Sequence, residues 1–209
     1  MPAMSRKSPP VKTPVRQRKP AFDREWGVDV AEALFHTRGY DAVGVAELTQ
    51  AMDIVPPSLY AAYGSKLSLF ERALTQYTTR HALPLDDVLA AKGTPPEVLT
   101  QLFVTAAQHY TQDPVRRGCM VTEAMRADDS EAAGIATALA AKGSNAIRGY
   151  IEQFVQGADA ERIADYVLLT LRGISSYACL GYPQAKLVEC AKVAGRALTA
   201  EFKGSRRPK

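Results

Sequence analysis

An all-α fold of about nine helices is predicted by three observations on this 209-residue chain. From Asp23 onward, apolar residues recur at spacings of three and four, strand-type alternation is absent, and Gly, Pro and capping residues punctuate the pattern. The length suffices for one or two small domains with a sizeable core. A composition of 46% hydrophobic and 23% charged residues is that of an ordinary soluble globular protein. No apolar run approaches the roughly 20 residues that span a bilayer, and the N-terminus lacks the apolar stretch of a secretory signal, so a cytoplasmic location is expected.

Asp23 is placed to cap a first helix running through Thr37, with Val28, Ala31, Leu34 and Phe35 on one face and Gly39 at its end. A short second helix, about Val45 to Met52, buries Val45, Leu48 and Met52. Asp53-Ile54-Val55 forms a tight turn, and Pro56-Pro57 opens a third helix to about Tyr63, since Pro suits a first helical turn. Gly64 closes it, and Ser65 caps a fourth with the stripe Leu67, Phe70, Leu74 and Tyr77. Thr94-Pro95-Pro96-Glu97 is a capping box that starts a helix at Pro95, carrying Val98, Leu102, Phe103, Ala106 and Tyr110. Helices over Arg117–Ala127, Ser130–Gln156, Ala160–Leu180 and Gln184–Phe202 follow.

Charge is unevenly distributed. Residues 1–20 hold six basic side chains, no acid and five prolines, which predicts a disordered basic arm. Residues 21–63 carry two basic groups against seven acids, and a second basic tail occupies 203–209. Basic termini suit nucleic-acid arms, because neutralising phosphates releases counterions; a solvated tail that aids solubility is the alternative. Cys119, Cys179 and Cys190 are far apart and odd in number, and His36, His81 and His109 lack a second ligand at metal-binding spacing. Neither a disulfide framework, nor a metal site, nor a cofactor is expected.

Three short helices within about 40 residues, with a tight turn before the third, describe a helix-turn-helix DNA-binding domain. In such a unit the second helix braces the third, whose N-terminal turn enters the major groove. The run LFHTRGYDAVGVAELTQAMDIVPPSLYAAYGSKLSLFERAL (34–74) resembles the N-terminal domain of TetR-family regulators. The likeness rests on an apolar helix, Gly-Tyr, a short helix, a turn, Ser-Leu-Tyr, an aromatic three residues on, Ser-Lys and Leu-Phe. It implies a DNA-binding domain at 21–66 and a ligand-sensing, dimer-forming helical domain at 67–202.

By that resemblance, Tyr60 and Lys66 contact DNA phosphates, and Pro56, Pro57, Ser58, Ala61 and Ala62 face bases. Tyr63 stands where the family has an aromatic that packs the recognition helix onto the fourth; DNA contact and core packing are both open to it. Gly44 replaces the Ser or Thr that usually caps the second helix and bonds phosphate, and Asp53 replaces a turn glycine, a position where Asp tolerates left-handed backbone. With Pro and Ala on the base-facing side, sequence readout falls to apolar contacts, DNA shape and the arm.

The resemblance also implies an apolar cavity among the middle helices and a dimer built by the last two. Candidate cavity residues are Phe103, His109, Tyr110, Cys119, Met120, Met125, Tyr150, Phe154, Tyr166 and Tyr177, each of which could equally be core. The seam Leu187, Ala191, Ala194 and Leu198 fits a subunit interface, or alternatively the intrachain core. Cys119, after Arg116-Arg117-Gly118 at a helix start, is placed where two guanidiniums and the helix dipole favour thiolate, as in redox- and electrophile-responsive relatives; a small buried hydrophobe is the other reading. The expected function is a ligand-responsive repressor, a homodimer released from a palindromic double-stranded operator by a small apolar, aromatic or electrophilic effector. An activator or ligand-independent regulator shares this architecture, and a helical adaptor without DNA binding is the rival of another class. Neither a catalytic triad nor a phosphate loop supports an enzyme.

Overall fold

The computed structural model describes residues 22–204. Its elements are α1 (Arg24–Arg38), α2 (Val45–Ala51), α3 (Pro56–Tyr63), α4 (Lys66–Arg80), α5 (Leu85–Leu89), α6 (Pro95–His109), α7 (Met120–Ala124), α8 (Ser130–Glu152), α9 (Ala158–Cys179) and α10 (Gln184–Gly204). No strand occurs among the described residues, and no described helix is long and apolar enough to cross a membrane. The arm expected over 1–20 and the tail beyond 204 lie outside the described residues.

Helix starts follow the caps written in the sequence. Asp23 accepts from the amides of Glu25 and Trp26, Ser65 from Ser68 and Asp129 from Glu131 and Ala132. The Glu97 carboxylate accepts from the Thr94 amide at 2.8 Å, the reciprocal half of a capping box. Asp53 takes φ 48°, the one non-glycine in left-handed backbone among the described residues, so the turn between α2 and α3 closes without glycine.

Two apolar clusters organise the chain. One joins α1–α4 with α7 and the first turns of α8, through Phe35, Leu48, Leu59, Phe70, Leu74, Tyr77, Met120 and Ala136. The other joins α5, α6, the end of α8, α9 and α10 around Leu99, Phe103, Ile151, Ile163 and Leu198. α10 lies along α6 at close range: a Cβ on Gly195 would meet the Thr100 side chain at 2.3 Å, so glycine permits the approach.

Two elements depart from expectation. The five-residue α5 was not anticipated. The helix expected over Arg117–Ala127 spans only Met120–Ala124, because Gly118 sits at φ 78° and Cys119 is extended.

Candidate nucleic-acid interface and the cavity behind it

The period of α3 sorts its side chains. Leu59, Ala62 and Tyr63, at i, i+3 and i+4, turn into the core of the head (α1–α3 and the first residue of α4, with the rest of α4–α10 as the body); Pro56, Pro57, Ser58, Tyr60 and Ala61 face out. Tyr60 is 49% exposed, with its hydroxyl available to an external acceptor. Ala62 is therefore removed from the expected base-facing set. Tyr63 is 3% exposed and its hydroxyl donates to the Arg24 carbonyl at 2.8 Å, which places it in the core rather than on the outer face. Burial raises its pKa to about 12, so the hydroxyl remains a donor. Gly27 permits this contact, since a Cβ there would meet the Tyr63 hydroxyl at 2.0 Å.

Lys66, at the first position of α4, holds its ammonium 3.9 Å above the Tyr40 ring. Burial lowers its pKa, while Asp41 and Asp129 oppose that shift. Gly44 caps α2 with extended backbone and no side-chain bond, and open space surrounds the position its Cβ would take. Arg38 is engaged by Glu47 and the Ala42 carbonyl. With Arg38 engaged, the described head offers an external polyanion little cationic surface beyond Arg24, Lys66 and helix N-termini.

A polar joint connects head and body. His36 Nε2 donates to the Gly118 carbonyl at 3.3 Å, and Asp41 accepts from the amides of Asp128 and Asp129 at 2.8 and 3.3 Å. Glu32, 2% exposed on α1, accepts from His81 Nδ1 at 2.8 Å and from Gln76 at 3.0 Å; His109 Nε2 donates to the His81 carbonyl at 2.8 Å. All three histidines of the chain therefore line one small cleft between α1, α4 and α6.

Behind the joint lies a cavity of about 770 Å³ bounded by the end of α4, α5, the end of α6, α7, α8 and α9. Its walls include Leu139, Ile147, Leu168 and Leu171, and Tyr77, Tyr110 and Cys119 also line it. The arginines expected to act on Cys119 are committed elsewhere. Arg116 pairs with Asp113 at 2.8 Å, and Arg117 donates to the Ala178 carbonyl at 2.6 Å. α7 is only five residues long, so its dipole is small.

Residues 28–73 match the sequence profile of the bacterial regulatory proteins, tetR family. The chain is 36% identical over 187 residues to the HTH-type transcriptional repressor BdcR of Escherichia coli (strain K12), covering 90% of this chain and 93% of that protein. It belongs to the TetR family. The HTH-type transcriptional repressor ComR of the same organism is 26% identical, over 84% of this chain and 89% of its own. Among solved structures, a cysteine mutant of the TetR-family regulator CifR, complexed with 26-base-pair double-strand operator DNA, superposes with TM-score 0.74 at 33% identity, covering 86% of this chain and 99% of that one. This TetR-family chain is accordingly a transcriptional regulator and not an enzyme.

Within the TetR frame, the ten residues expected around the cavity separate. Tyr110 and Cys119 line it. Phe103, on α6, is fully buried edge-on to Tyr166 of α9, whose hydroxyl donates to the Ala194 carbonyl at 2.8 Å. His109 belongs to the joint, Met120 faces a groove against α1, and Met125 meets Arg172 at the surface. Tyr150 packs on Phe154, and Phe154 and Tyr177 are about half exposed. These eight lie off the cavity wall, because an aromatic or methionine at a helical spacing says only that it is shielded on one side. Tyr77 was read as plain stripe and missed; no sequence signal separates a stripe that meets core from one that meets a cavity.

The seam on α10 needs the same correction. Leu187, Ala191 and Leu198 are buried in the chain's own core against α6, with Ala194 beside them, so they do not face a second subunit. The large apolar side chains left exposed nearby are Leu169 and Leu180 on the α9 side and Val193 on α10.

Proposed function

We propose that this chain is a repressor that binds a palindromic operator as a homodimer and releases it when a small apolar, aromatic or electrophilic effector enters the 770 Å³ cavity. The observation that carries the reading is the outward face of α3, with Tyr60 exposed and Lys66 at the first position of the next helix, on a chain whose relatives are named repressors. CifR's complex with operator DNA supports DNA as the partner. One eight-residue helix reads too few base pairs for useful specificity, which favours two heads on two half-sites. The exposed Leu169, Leu180 and Val193 support a pairing face on α9 and α10. An effector would act by favouring a body conformation in which the heads no longer match the half-site spacing.

A gel shift on the DNA flanking the chain's own gene tests the reading. Saturable, palindrome-specific binding that is lost in Tyr60→Ala and Lys66→Ala supports it. Binding indifferent to both substitutions, or to sequence, leaves the adaptor alternative standing instead. Cys119→Ser that still releases DNA normally under aldehydes and oxidants removes the electrophilic class of effector. Val193→Asp should shift sedimentation from dimer to monomer; an unchanged profile moves the interface elsewhere.

A further inference from the structure

We infer that the Tyr77 and Tyr110 phenols form the recognition end of the cavity and select a small uncharged ligand with a hydrogen-bond-accepting oxygen on an apolar body, such as a ketone or ester. The inference rests on the reading of this cavity as the effector site.

Among the described residues, the Tyr77 hydroxyl, on a side chain only 1% exposed, is the buried side-chain polar atom that makes no hydrogen bond of normal geometry, although the Cys119 thiol and the Met120 backbone lie beside it. Buried polar groups are paired as a rule, and an unpaired one asks for an explanation. Packing does not supply it. Phe70, two turns earlier on the same stripe of α4, shows that this helix uses phenylalanine where only a ring is needed. Tyr77 lines the cavity together with Tyr110 and Cys119. Two donors at one end suit an acceptor with two lone pairs, as a carbonyl oxygen has.

The rest of the lining fixes the charge. Leu139, Ile147, Leu168 and Leu171 supply apolar wall. The charged residues that border the cavity, Arg80, Asp86, Asp87, Lys142 and Arg172, are all exposed and of both signs. A charged ligand would lose its hydration at the phenol end with no buried counter-ion to replace it. Burial pushes both phenols well above their usual pKa, which keeps them as neutral donors. The same Tyr77 ring stands edge-on to His36, 5.2 Å between centroids, and His36 bonds the Gly118 carbonyl across the joint. A ligand held by Tyr77 therefore pulls on the helix and the imidazole that position the head.

The test uses the full chain and three probes of matched shape: acetophenone, ethylbenzene (no acceptor) and benzoate (charged). Calorimetric titration of the wild type should find acetophenone preferred roughly tenfold over ethylbenzene, with benzoate weakest. Y77F should cut that preference to about threefold or less by weakening acetophenone alone, and Y110F should act in the same direction. Y77F deletes a hydroxyl that makes no normal hydrogen bond and keeps the ring, and Y110F carries the test should Y77F misfold. A full preference in both variants, benzoate binding best, or no binding of acetophenone to the wild type each overturns the assignment. Gel shifts on the same preparations separate the two readings. Operator binding with no acetophenone preference sinks only the phenol site, whereas absent operator binding sinks the repressor.

Discussion

The Glu32 carboxylate and the His81 imidazole, 2.8 Å apart, tie the middle of α1 to the end of α4. Glu32 is 2% exposed, and its second oxygen accepts from Gln76, so both oxygens of a buried acid are engaged. Removing one partner of such a pair costs more than the pair contributes, because the remaining polar groups lose their bonds. Glu32→Ala should lower unfolding stability by about 1–3 kcal/mol, short of the fully buried case because His81 is half exposed. Urea denaturation measures it, and a loss under about 0.5 kcal/mol would show the contact to be incidental.

Tyr63 offers a clean separation of packing from DNA contact. Tyr63→Phe removes the bond to the Arg24 carbonyl and should cost about 1 kcal/mol of stability. Operator affinity, measured well below the unfolding transition, should change by less than about threefold. A tenfold loss of affinity with intact stability would return this hydroxyl to the interface.

Gly44 is a position where function can be added. Its backbone is ordinary extended chain with free space around a Cβ, so serine fits without strain. Gly44→Ser should stabilise α2 by a few tenths of a kcal/mol and supply a hydroxyl toward phosphate. Operator affinity should then rise by about twofold to tenfold in a titration at fixed salt. Weaker binding would show that the serine side chain clashes with the duplex.

His36 gives the fold an acid-side limit. Burial lowers its pKa, with Arg116 acting the same way and the Gly118 bond and Glu32 opposing. The unfolded chain therefore takes up this proton first, beginning near pH 6.5. The stability contributed by a neutral His36 is complete above that pH and is lost as pH falls through the lower folded value. Urea midpoints at about pH 7.5 and 5 should fall further for the wild type than for His36→Gln, which keeps a donor for Gly118. Equal falls would assign the acid sensitivity to other groups.

The head was legible because its signals are local. Asp23, Ser65 and Pro56-Pro57 start helices by satisfying or omitting backbone donors within one turn, whatever packs on them later. α5 escaped because five residues have no periodicity of their own; packing on α6 and α8 holds them. The inward side of α10 was legible as apolar, but nothing in Leu187, Ala191 and Leu198 states whether the surface they meet is α6 or a second chain. Tyr77 was legible as inward for the same reason, while its role depends on α8 and α9, which begin 53 and 81 residues further along the chain.

His36 and Asp41 share a property with consequences for how such a protein diverges. Both reach from the head to main-chain atoms of the body: the Gly118 carbonyl, and the amides of Asp128 and Asp129. Every residue type provides a carbonyl, and all but proline provide an amide. The polar part of the head's docking is thus written in main-chain atoms that survive substitution at Asp128 and Asp129, whereas Gly118, in left-handed backbone with Cys179 where a Cβ would go, has to stay glycine. A lineage can rewrite the cavity side chains for a new effector while inheriting the hinge intact.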